Sequence, residues 1–335
     1  MKAIFYSTRN YERASLTSEA ERHGHEPLFV ETRLTLETAK LAEGYEAASI
    51  FANDDGSSKV LRALQKAGVR LLALRSAGFN HVDLREAERL NLTVLRVPAY
   101  SPHAVAEHTV GLMLTLNRKY HRAYQRVREQ NFSLEGLMGF DMKGKTAGVI
   151  GTGRIGEVVC RILKGFDCKI IAFDINQNPQ CVKLGVEYAA LDDLFRLSDI
   201  ITFHCPLTPK THYMLNERTL SLTKRGVMII NTSRGGVIES KALIASLKSG
   251  HIGSVGLDVY EEEADLFFQD LSGTALLDDT FVRLMTFPNV LITAHQGFLT
   301  CEAVAAIAQV TIENLTAFQA GAVREENQVS TELLV

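Results

Sequence analysis

Gly151-Thr152-Gly153-Arg154-Ile155-Gly156 follows directly on the apolar run 146–150, which reads Thr-Ala-Gly-Val-Ile. A short apolar run with a β-branched pair predicts a buried parallel strand, and the residues 157–163 after the glycines predict an amphipathic helix. Glycines at this spacing are typical of the turn that places a dinucleotide pyrophosphate at a helix N-terminus. A second apolar strand at 170–173 ends in Asp174, which lies 18 residues beyond Gly156, near the spacing of an acid that binds ribose hydroxyls. The stretch therefore predicts a dinucleotide site; the alternative is a glycine-rich turn that binds no ligand.

The residues on either side of this stretch alternate between predicted strands and helices, which indicates parallel sheets flanked by helices. The first hundred residues already resemble a complete small α/β domain. Its predicted strands are 3–7, 27–30, 47–52, 70–74 and 94–97, with helices such as 58–67 and 82–90. A long helix is predicted over 103–129, with Pro102 in its first turn and the basic residues 118–122 on a solvated face. After Asp174 the predicted strands are 200–205, 227–231, 254–259 and 290–293, and the predicted helices are 191–197, 241–248 and 302–319.

Composition limits the class of protein. The length of 335 residues suggests about two domains, and 46% hydrophobic with 22% charged residues is typical of a globular protein. A net charge of −3 gives no support for nucleic-acid binding. The five cysteines are scattered without zinc-ligand spacing, so we expect reduced thiols, no metal and a cytoplasmic location. No apolar stretch approaches the roughly 18 residues of a membrane span.

Polar residues follow three of the predicted strands beyond the glycine turn. They are Arg234, the acidic run 261–263 and His295. Ligands of open α/β sheets bind at the carboxyl ends of the strands, so each residue lies where a substrate could reach it. Arginine binds a carboxylate through two parallel hydrogen bonds, histidine exchanges protons near neutral pH, and a carboxylate can orient the histidine. Hydride transfer to a keto acid needs such a set.

Each of these residues also allows a structural interpretation. Arg234 could be a surface ion-pair residue, and the run 261–263 could be a solvent-facing acidic loop. His295 is one of ten histidines, and a lone histidine is more often structural. The pattern also leaves open which of the three glutamates would act with His295.

Five strings of the chain resemble the D-2-hydroxyacid dehydrogenases, and within them the fermentative D-lactate dehydrogenases. They lie at 97–102, 149–156, 231–235, 257–263 and 294–298, and the resemblance runs over essentially the whole chain. Many enzymes share the glycine string, whereas the ordered set with Arg, Glu and His at these intervals is highly specific. The resemblance implies NAD as the cofactor and two Rossmann-like or flavodoxin-like parallel-sheet α/β domains with an active-site cleft between them.

The resemblance also implies roles for individual residues. The catalytic Arg, Glu and His fall on Arg234, Glu263 and His295; Glu263 is chosen because the family's acid lies five residues after the Asp of Asp-Val-Tyr, here Asp258. The implied cofactor-binding residues are Gly151, Gly153, Arg154, Ile155, Gly156, Asp174, Cys205, Pro206, Thr232, Ser233 and Asp258. The implied substrate-binding residues are Ser76, Ala77, Gly78, Tyr100, Phe298 and Arg9. Gly297 is a departure, because similar enzymes usually carry Ala at this position.

By the same resemblance, residues 1–100 and 299–335 form a discontinuous substrate domain, and 101–298 form the NAD-binding domain. The implied reaction is the reversible, NADH-dependent reduction of pyruvate to D-lactate. Arg234 would bind the substrate, His295 would donate the proton, and Glu263 would keep His295 protonated. We expect a small-molecule substrate and a homo-oligomer (dimer or tetramer), with no nucleic-acid or membrane partner. The alternatives are a dehydrogenase for longer or branched 2-keto acids, or an NADH-sensing regulatory protein on the same fold.

Overall fold

The computed structural model describes residues 1–334. The chain forms two compact units. The first consists of Met1–Ser101 together with the segment that begins at Phe298, and the second is Pro102–Gly297. Val335, the last residue of the predicted segment 299–335, lies outside the described residues.

The described part of the chain contains twelve strands and twelve α-helices. The strands are β1 (Lys2–Phe5), β2 (Glu26–Phe29), β3 (Ala47–Ile50), β4 (Leu71–Leu74), β5 (Thr93–Leu95), β6 (Thr146–Ile150), β7 (Lys169–Phe173), β8 (Glu187–Tyr188), β9 (Ile200–Phe203), β10 (Val227–Asn231), β11 (Ile252–Leu257) and β12 (Val290–Ile292). The helices are α1 (Asn10–His23), α2 (Ser58–Lys66), α3 (Leu84–Arg89), α4 (Pro102–Arg118), α5 (Tyr120–Arg128), α6 (Arg154–Gly165), α7 (Pro179–Lys183), α8 (Leu191–Leu197), α9 (Glu217–Leu222), α10 (Ser240–Lys248), α11 (Asp279–Met285) and α12 (Cys301–Gln319).

The first unit contains a five-stranded parallel sheet in the order β2-β1-β3-β4-β5. This is the flavodoxin-like strand order. Every residue of β3 and β4 is buried, because apolar side chains on the two faces of the sheet pack into two separate hydrophobic clusters. The apolar runs that predicted strands here are therefore runs covered on both sides.

The second unit contains a seven-stranded parallel sheet in the order β12-β11-β10-β9-β6-β7-β8. The strand order reverses between β6 and β9, which is the switch point where dinucleotides bind in doubly wound sheets. The glycine loop follows β6 at this switch point. The prediction of two α/β domains with parallel sheets is confirmed.

One predicted element is wrong. The single helix predicted over 103–129 is two helices, α4 and α5, because Lys119 between them adopts left-handed backbone with φ 53°. The sequence contains no glycine or proline at this point. Instead the Lys119 ammonium donates a hydrogen bond to the carbonyl oxygen of Met138, a tertiary contact that the helical pattern does not reveal. The basic residues 118–122 therefore span a helix break rather than one continuous helix face.

Among the described residues, no helix is both long enough and apolar enough to cross a bilayer.

Candidate active site

The glycine loop joins β6 to α6, and two of its glycines are required by packing. Gly151 has φ +92°, and a Cβ there would lie 2.7 Å from the carbonyl oxygen of His204. A Cβ on Gly156 would lie 1.9 Å from the carbonyl oxygen of Gly151. Gly153, in contrast, is exposed and has no atom within 4 Å of the position a Cβ would take. The loop therefore packs closely against backbone atoms at Gly151 and Gly156, and it is open to a ligand at Gly153.

The N-terminus of α6 fits the phosphates of a dinucleotide. Its cap residue is Gly153, and no side chain caps the helix there. Arg154 and Ile155 form the first turn, with Arg154 exposed and Ile155 half-buried. Uncapped first-turn amides and the positive end of the helix dipole favour a bound anion. These residues can therefore hold the pyrophosphate of NAD.

Asp174 is held at the carboxyl end of β7 by the glycine loop itself. Its Oδ2 accepts hydrogen bonds from the Thr152 amide at 2.6 Å and the Thr152 hydroxyl at 3.2 Å. Its Oδ1 accepts one from the amide of Asn176 at 3.1 Å. A carboxylate fixed at this position suits ribose hydroxyls and would repel a 2′-phosphate.

Cys205 and Pro206 follow β9, the strand next to β6. The Cys205 amide nitrogen would lie 2.8 Å from a Cβ on Gly151, so the two segments are in contact. Burial raises the pKa of the Cys205 thiol to about 11, and this thiol is therefore neutral near pH 7. A cofactor that contacts Cys205 would therefore meet a neutral thiol and not a thiolate.

Arg234 extends from the turn that follows β10. Asn231 shapes this turn: its Oδ1 accepts from the amide and hydroxyl of Ser233 at 3.0 and 2.9 Å, and its Nδ2 donates to the Arg234 carbonyl at 2.9 Å. The Thr232 and Thr109 hydroxyl oxygens are 2.8 Å apart, which ties the turn to α4. Arg234 donates from Nη1 to the Ser233 carbonyl at 2.6 Å. In the described part of the chain no carboxylate pairs with it, so its guanidinium can still bind an external carboxylate.

His295 contacts one of the three neighbouring glutamates. Its Nδ1 lies 2.7 Å from Oε1 of Glu263. Glu263 Oε2 accepts a hydrogen bond from the amide of Tyr260 at 2.9 Å, which fixes the carboxylate. Glu261 instead accepts from the hydroxyl of Tyr213 and the amide of Ser240, at 2.6 and 2.8 Å. Because an ionised carboxylate only accepts hydrogen bonds, Nδ1 carries a proton and Nε2 is the nitrogen left for a ligand.

The turn with Arg234 and the turn with Glu263 pack directly against each other. A Cβ on Gly235 would lie 2.0 Å from the carbonyl oxygen of Tyr260. Strands β10, β11 and β12 are parallel neighbours, so their carboxyl ends lie side by side. Each of the three residues, Arg234, Glu263 and His295, follows one of these carboxyl ends. The fold thus places a cation, a carboxylate and an imidazole where ligands of such sheets bind.

His295 lies in a strained loop. Ala294 and His295 both adopt left-handed backbone, with φ 52° and 60°. For residues other than glycine this conformation costs roughly 1–2 kcal/mol each. The amide of His295 donates to the carbonyl oxygen of Asp258 at 2.5 Å. Such strain persists only where the surrounding structure holds it.

The Asp258 carboxylate, which is 2% exposed, supplies most of that support. Its Oδ1 accepts from the Thr293 hydroxyl at 2.6 Å and the Gln296 amide at 2.9 Å, and its Oδ2 accepts from the Gly297 amide at 2.9 Å. Burial raises the pKa of Asp258, but the hydrogen bonds from His108 and Thr293, together with the charges of His295 and His108, outweigh it and lower the pKa overall. The carboxylate is therefore ionised near pH 7.

The predicted substrate residues all lie in the first unit, at three places: the ring pair of Tyr100 and Phe298, the 76–78 turn, and Arg9. Phe298, which is buried, packs against Tyr100 with ring centroids 6.4 Å apart and against Phe51 at 5.9 Å. The Ser76-Ala77-Gly78 turn follows β4; the Ser76 hydroxyl closes it by donating to the Gly78 carbonyl at 2.7 Å. Arg9 immediately precedes α1 and is the cap residue of that helix.

Several residues around these groups were not predicted. Phe51 was only part of a predicted strand, and its ring now proves to contact Phe298. Thr152 was only the middle of the glycine string, yet it fixes Asp174. His108 was part of a long helical pattern, yet its Nε2 lies 3.3 Å from Asp258 Oδ1. No signal in one sequence marks these contacts, because each joins residues from separate elements.

A glycine loop, an acid at the end of the next strand and an imidazole–carboxylate pair are the arrangement expected of a dinucleotide-dependent oxidoreductase. Comparison with known proteins is more specific. Residues 110–297 match the family model described as the NAD-binding domain of D-isomer-specific 2-hydroxyacid dehydrogenases. The D-lactate dehydrogenase of Escherichia coli strain K12 is 54% identical over 321 residues, which cover 96% of this chain and 98% of that protein.

Solved structures agree with this match. The apo structure of D-lactate dehydrogenase from Escherichia coli has a TM-score of 0.89 at 52% identity and covers 98% of this chain and 100% of that chain. The structure of Aquifex aeolicus D-lactate dehydrogenase complexed with NAD and lactic acid has a TM-score of 0.88 at 30% identity, with 98% of each chain covered. The chain belongs to the D-isomer-specific 2-hydroxyacid dehydrogenase family. It is an NAD-dependent enzyme that interconverts D-2-hydroxy acids and 2-keto acids.

Proposed function

We propose that this protein is a D-lactate dehydrogenase that reduces pyruvate with NADH. The observation that carries the proposal is the 2.7 Å contact between His295 Nδ1 and Glu263 Oε1, which leaves Nε2 for a substrate oxygen. The relative named D-lactate dehydrogenase that is 54% identical over nearly the whole chain supports the choice of substrate. NADH, when bound, supplies the hydride that converts the keto carbon to an alcohol.

Arg234 binds the substrate in this proposal. Its guanidinium lacks a carboxylate partner among the described residues, so it can donate two parallel hydrogen bonds to the keto-acid carboxylate. The same positive charge stabilises the negative charge that develops on the substrate oxygen during reduction. Partial burial of the Arg234 side chain strengthens both interactions, because fewer water molecules screen them.

His295 donates the proton in this proposal. The proton moves from Nε2 to the oxygen of the reduced carbonyl, and the imidazole is left neutral with its remaining proton on Nδ1. Glu263 accepts the hydrogen bond from Nδ1 and favours the imidazolium before transfer. The Tyr260 amide holds Glu263 in place for this task.

In this proposal the second unit supplies Arg234, the cofactor contacts and the acid–base residues, and the family resemblance assigns further substrate-binding roles to residues of the first unit. The Ser76-Ala77-Gly78 turn would bind the substrate carboxylate, Arg9 would be a further substrate contact, and the Phe298 and Tyr100 rings would limit the substrate side chain. The cofactor contacts would come from Gly151, Gly153, Asp174 and the turns that contain Cys205, Pro206, Thr232, Ser233 and Asp258.

A substrate panel from glyoxylate to 2-ketoisocaproate, run with NADH and NADPH, tests the proposal. We expect pyruvate to give the highest kcat/KM, and NADH to be preferred because Asp174 would repel a 2′-phosphate. A higher kcat/KM for 2-ketoisocaproate would contradict the lactate assignment but not the family. No turnover of any keto acid, with NADH still bound, would favour a sensory role instead.

We further propose a cytoplasmic homo-oligomer. All five cysteines are free and four are buried, in keeping with a reducing compartment. The segment 120–140 exposes Phe132, Leu134 and Met138 by 72%, 81% and 89%, and contact with a second copy of the chain would remove these apolar side chains from water. Light scattering coupled to gel filtration would give the mass; a monomer at micromolar concentration would contradict this assignment.

A further inference from the structure

The loop that carries His295 is tied to helix α4 through His108. The His108 Nε2 lies 3.0 Å from the Thr293 hydroxyl oxygen and 3.3 Å from Asp258 Oδ1. Thr293 in turn donates its own hydroxyl proton to Asp258 at 2.6 Å. Since that hydroxyl proton is already used, the contact with His108 is satisfied when Nε2–H donates to the threonine oxygen. His108 therefore closes a three-membered hydrogen-bonded cluster with Thr293 and Asp258.

This cluster holds the strained backbone on both sides. Thr293 directly precedes the left-handed pair Ala294 and His295, and the amides of Gln296 and Gly297, which follow the pair, both donate to Asp258. A Cβ on Gly297 would lie 2.8 Å from Asp258 Oδ2 and 3.4 Å from His108 Cδ2. Glycine at this position therefore lets the loop approach the cluster more closely than alanine would.

Helix α4 gives the cluster a rigid support. Thr109, next to His108, is fully buried, and its hydroxyl oxygen lies 2.8 Å from that of Thr232 after β10. Further along α4, Leu112 and Leu116 pack so closely on β11 that a Cβ on Gly256 would lie 3.1 Å from Leu116 Cδ1. His108 is thus mounted on a helix that is fixed to two strands of the sheet.

We propose that His108 is a positioning residue for the reaction: acting through Thr293 and Asp258, it holds the 293–297 loop so that the His295 imidazole is aligned for proton donation. The inference rests on the proposed role of His295. His108 itself need not touch the substrate or the cofactor. Its contribution is the Nε2–H donor, which keeps the Thr293 hydroxyl directed at Asp258.

Two variants of His108 and one control separate this role from general stabilisation. His108→Leu removes the donor, whereas His108→Gln keeps an amide N–H that can reach the Nε2 position. His103 lies on the same helix with its side chain 60% exposed, so His103→Leu is a matched loss of a histidine outside the cluster. Hydrogen exchange of the peptide covering 293–298 and steady-state kinetics with pyruvate are measured on all the full-length proteins.

In His108→Leu we expect exchange at the amides of Gln296 and Gly297 to accelerate about 10-fold, because their acceptor, the Asp258 carboxylate, loses its fixed orientation. We expect kcat to fall by about 10- to 100-fold, since misplacement of an acid by about 1 Å has effects of this size, with KM for pyruvate changing far less. His108→Gln should restore both to within a few-fold of the unmodified protein, and His103→Leu should change neither.

Unchanged exchange in His108→Leu would overturn the inference, as would failure of His108→Gln to restore exchange and kcat. Faster exchange with unchanged kcat would also overturn it, because the loop would then move without affecting catalysis. The proposed function is tested separately by His295→Ala: if that variant retains its rate, the role of His295 fails, whatever His108 does.

Discussion

The loop around His295 in the second unit and the ring cluster around Phe298 in the first unit are held by different forces. The loop is held by directional hydrogen bonds that converge on the buried, ionised Asp258 carboxylate. The ring cluster of Phe51, Tyr100 and Phe298 is held by tilted and edge-on packing, with centroids 5.9 and 6.4 Å apart. Hydrogen bonds fix atoms within tenths of an ångström, whereas ring packing tolerates small shifts at little cost.

Because of this difference, we expect the hydrogen-bonded loop to serve proton donation and the ring cluster to serve substrate selectivity. A proton donor must be aligned with a developing charge, so the second unit needs a rigid polar loop even at the cost of backbone strain. A pocket for a small apolar group needs only the correct volume, and its discrimination between substrates is graded. We therefore expect changes in the loop to lower the rate for every substrate, and changes in the ring cluster to alter their order.

The largest expected effect is that of His295→Ala. Loss of a general acid lowers rates by roughly 10²–10⁴-fold, and we expect a fall of this size in kcat with pyruvate and with every other accepted keto acid. The control is His251→Ala, because His251 directly precedes β11 and so lies at the amino ends of the strands, whereas His295 lies at their carboxyl ends. A fall limited to one substrate would mean that His295 selects substrates, and the contrast between the units would fail.

Glu263→Gln should have the next largest effect. Glutamine keeps an oxygen that can accept the Nδ1–H bond but loses the negative charge, and a hydrogen bond to a charged group is worth about 1.5–3 kcal/mol. We therefore expect kcat to fall by about 10- to 100-fold. Glu262 is exposed, so Glu262→Gln is the matched control. If Glu263→Gln kept the full rate while Glu261→Gln lost it, Glu261 would be the functional partner of His295.

Phe298→Ala tests the other side of the comparison. Removing the ring enlarges the proposed pocket, and pocket differences of one or two methylene groups are worth about 1–3 kcal/mol. We expect kcat/KM for 2-ketoisocaproate relative to pyruvate to rise about 10-fold. Phe29→Ala removes a ring that packs on Phe5 elsewhere in the same unit, and it should leave this ratio unchanged. A uniform loss with all substrates would assign Phe298 to alignment rather than to selectivity.

The sequence predicted most of the fold because its decisive strands are short apolar runs next to glycines or polar turns. Strands β6 and β10 begin and end at the predicted residues, 146–150 and 227–231. The break at Lys119 could not be predicted, because a distant carbonyl group, that of Met138, stabilises it. Local preference predicts an element only where no tertiary contact opposes it.

For the candidate site, the sequence pattern alone predicted which types of residue are present but not which residues contact each other. It indicated an acidic run near a histidine but left the three glutamates equivalent; only the family resemblance favoured Glu263. In the structure a tight turn directs Glu263 toward His295, while Glu261 bonds Tyr213. The contact of His108 with Asp258 depends on how α4 packs across β10 to β12, and neither periodicity nor spacing contains that information.

The smallest expected effect is on stability, and it comes from two histidines, one in each unit, whose pKa values are lowered in the folded protein. Burial lowers the pKa of His204, beside the glycine loop, from 6.5 to about 3. Burial, the amino terminus and His23 also lower the pKa of His25, whose Nε2 lies 2.8 Å from the Thr316 hydroxyl oxygen. In each case the unfolded chain binds the proton more readily, so stability is complete above the unfolded value of 6.5 and declines as the pH falls below it. One such histidine changes the free energy of unfolding by at most about 1.4 kcal/mol per pH unit, and the partial exposure of His204 reduces this slope further.

Because the chain has no tryptophan, urea unfolding between pH 4.5 and 7.5 is best followed by circular dichroism. We expect His204→Gln to flatten the acid decline more than His25→Gln does, since only the shift of His204 is large. Equal slopes in the unmodified protein and His204→Gln would show that His204 is already protonated or solvated in the folded second unit.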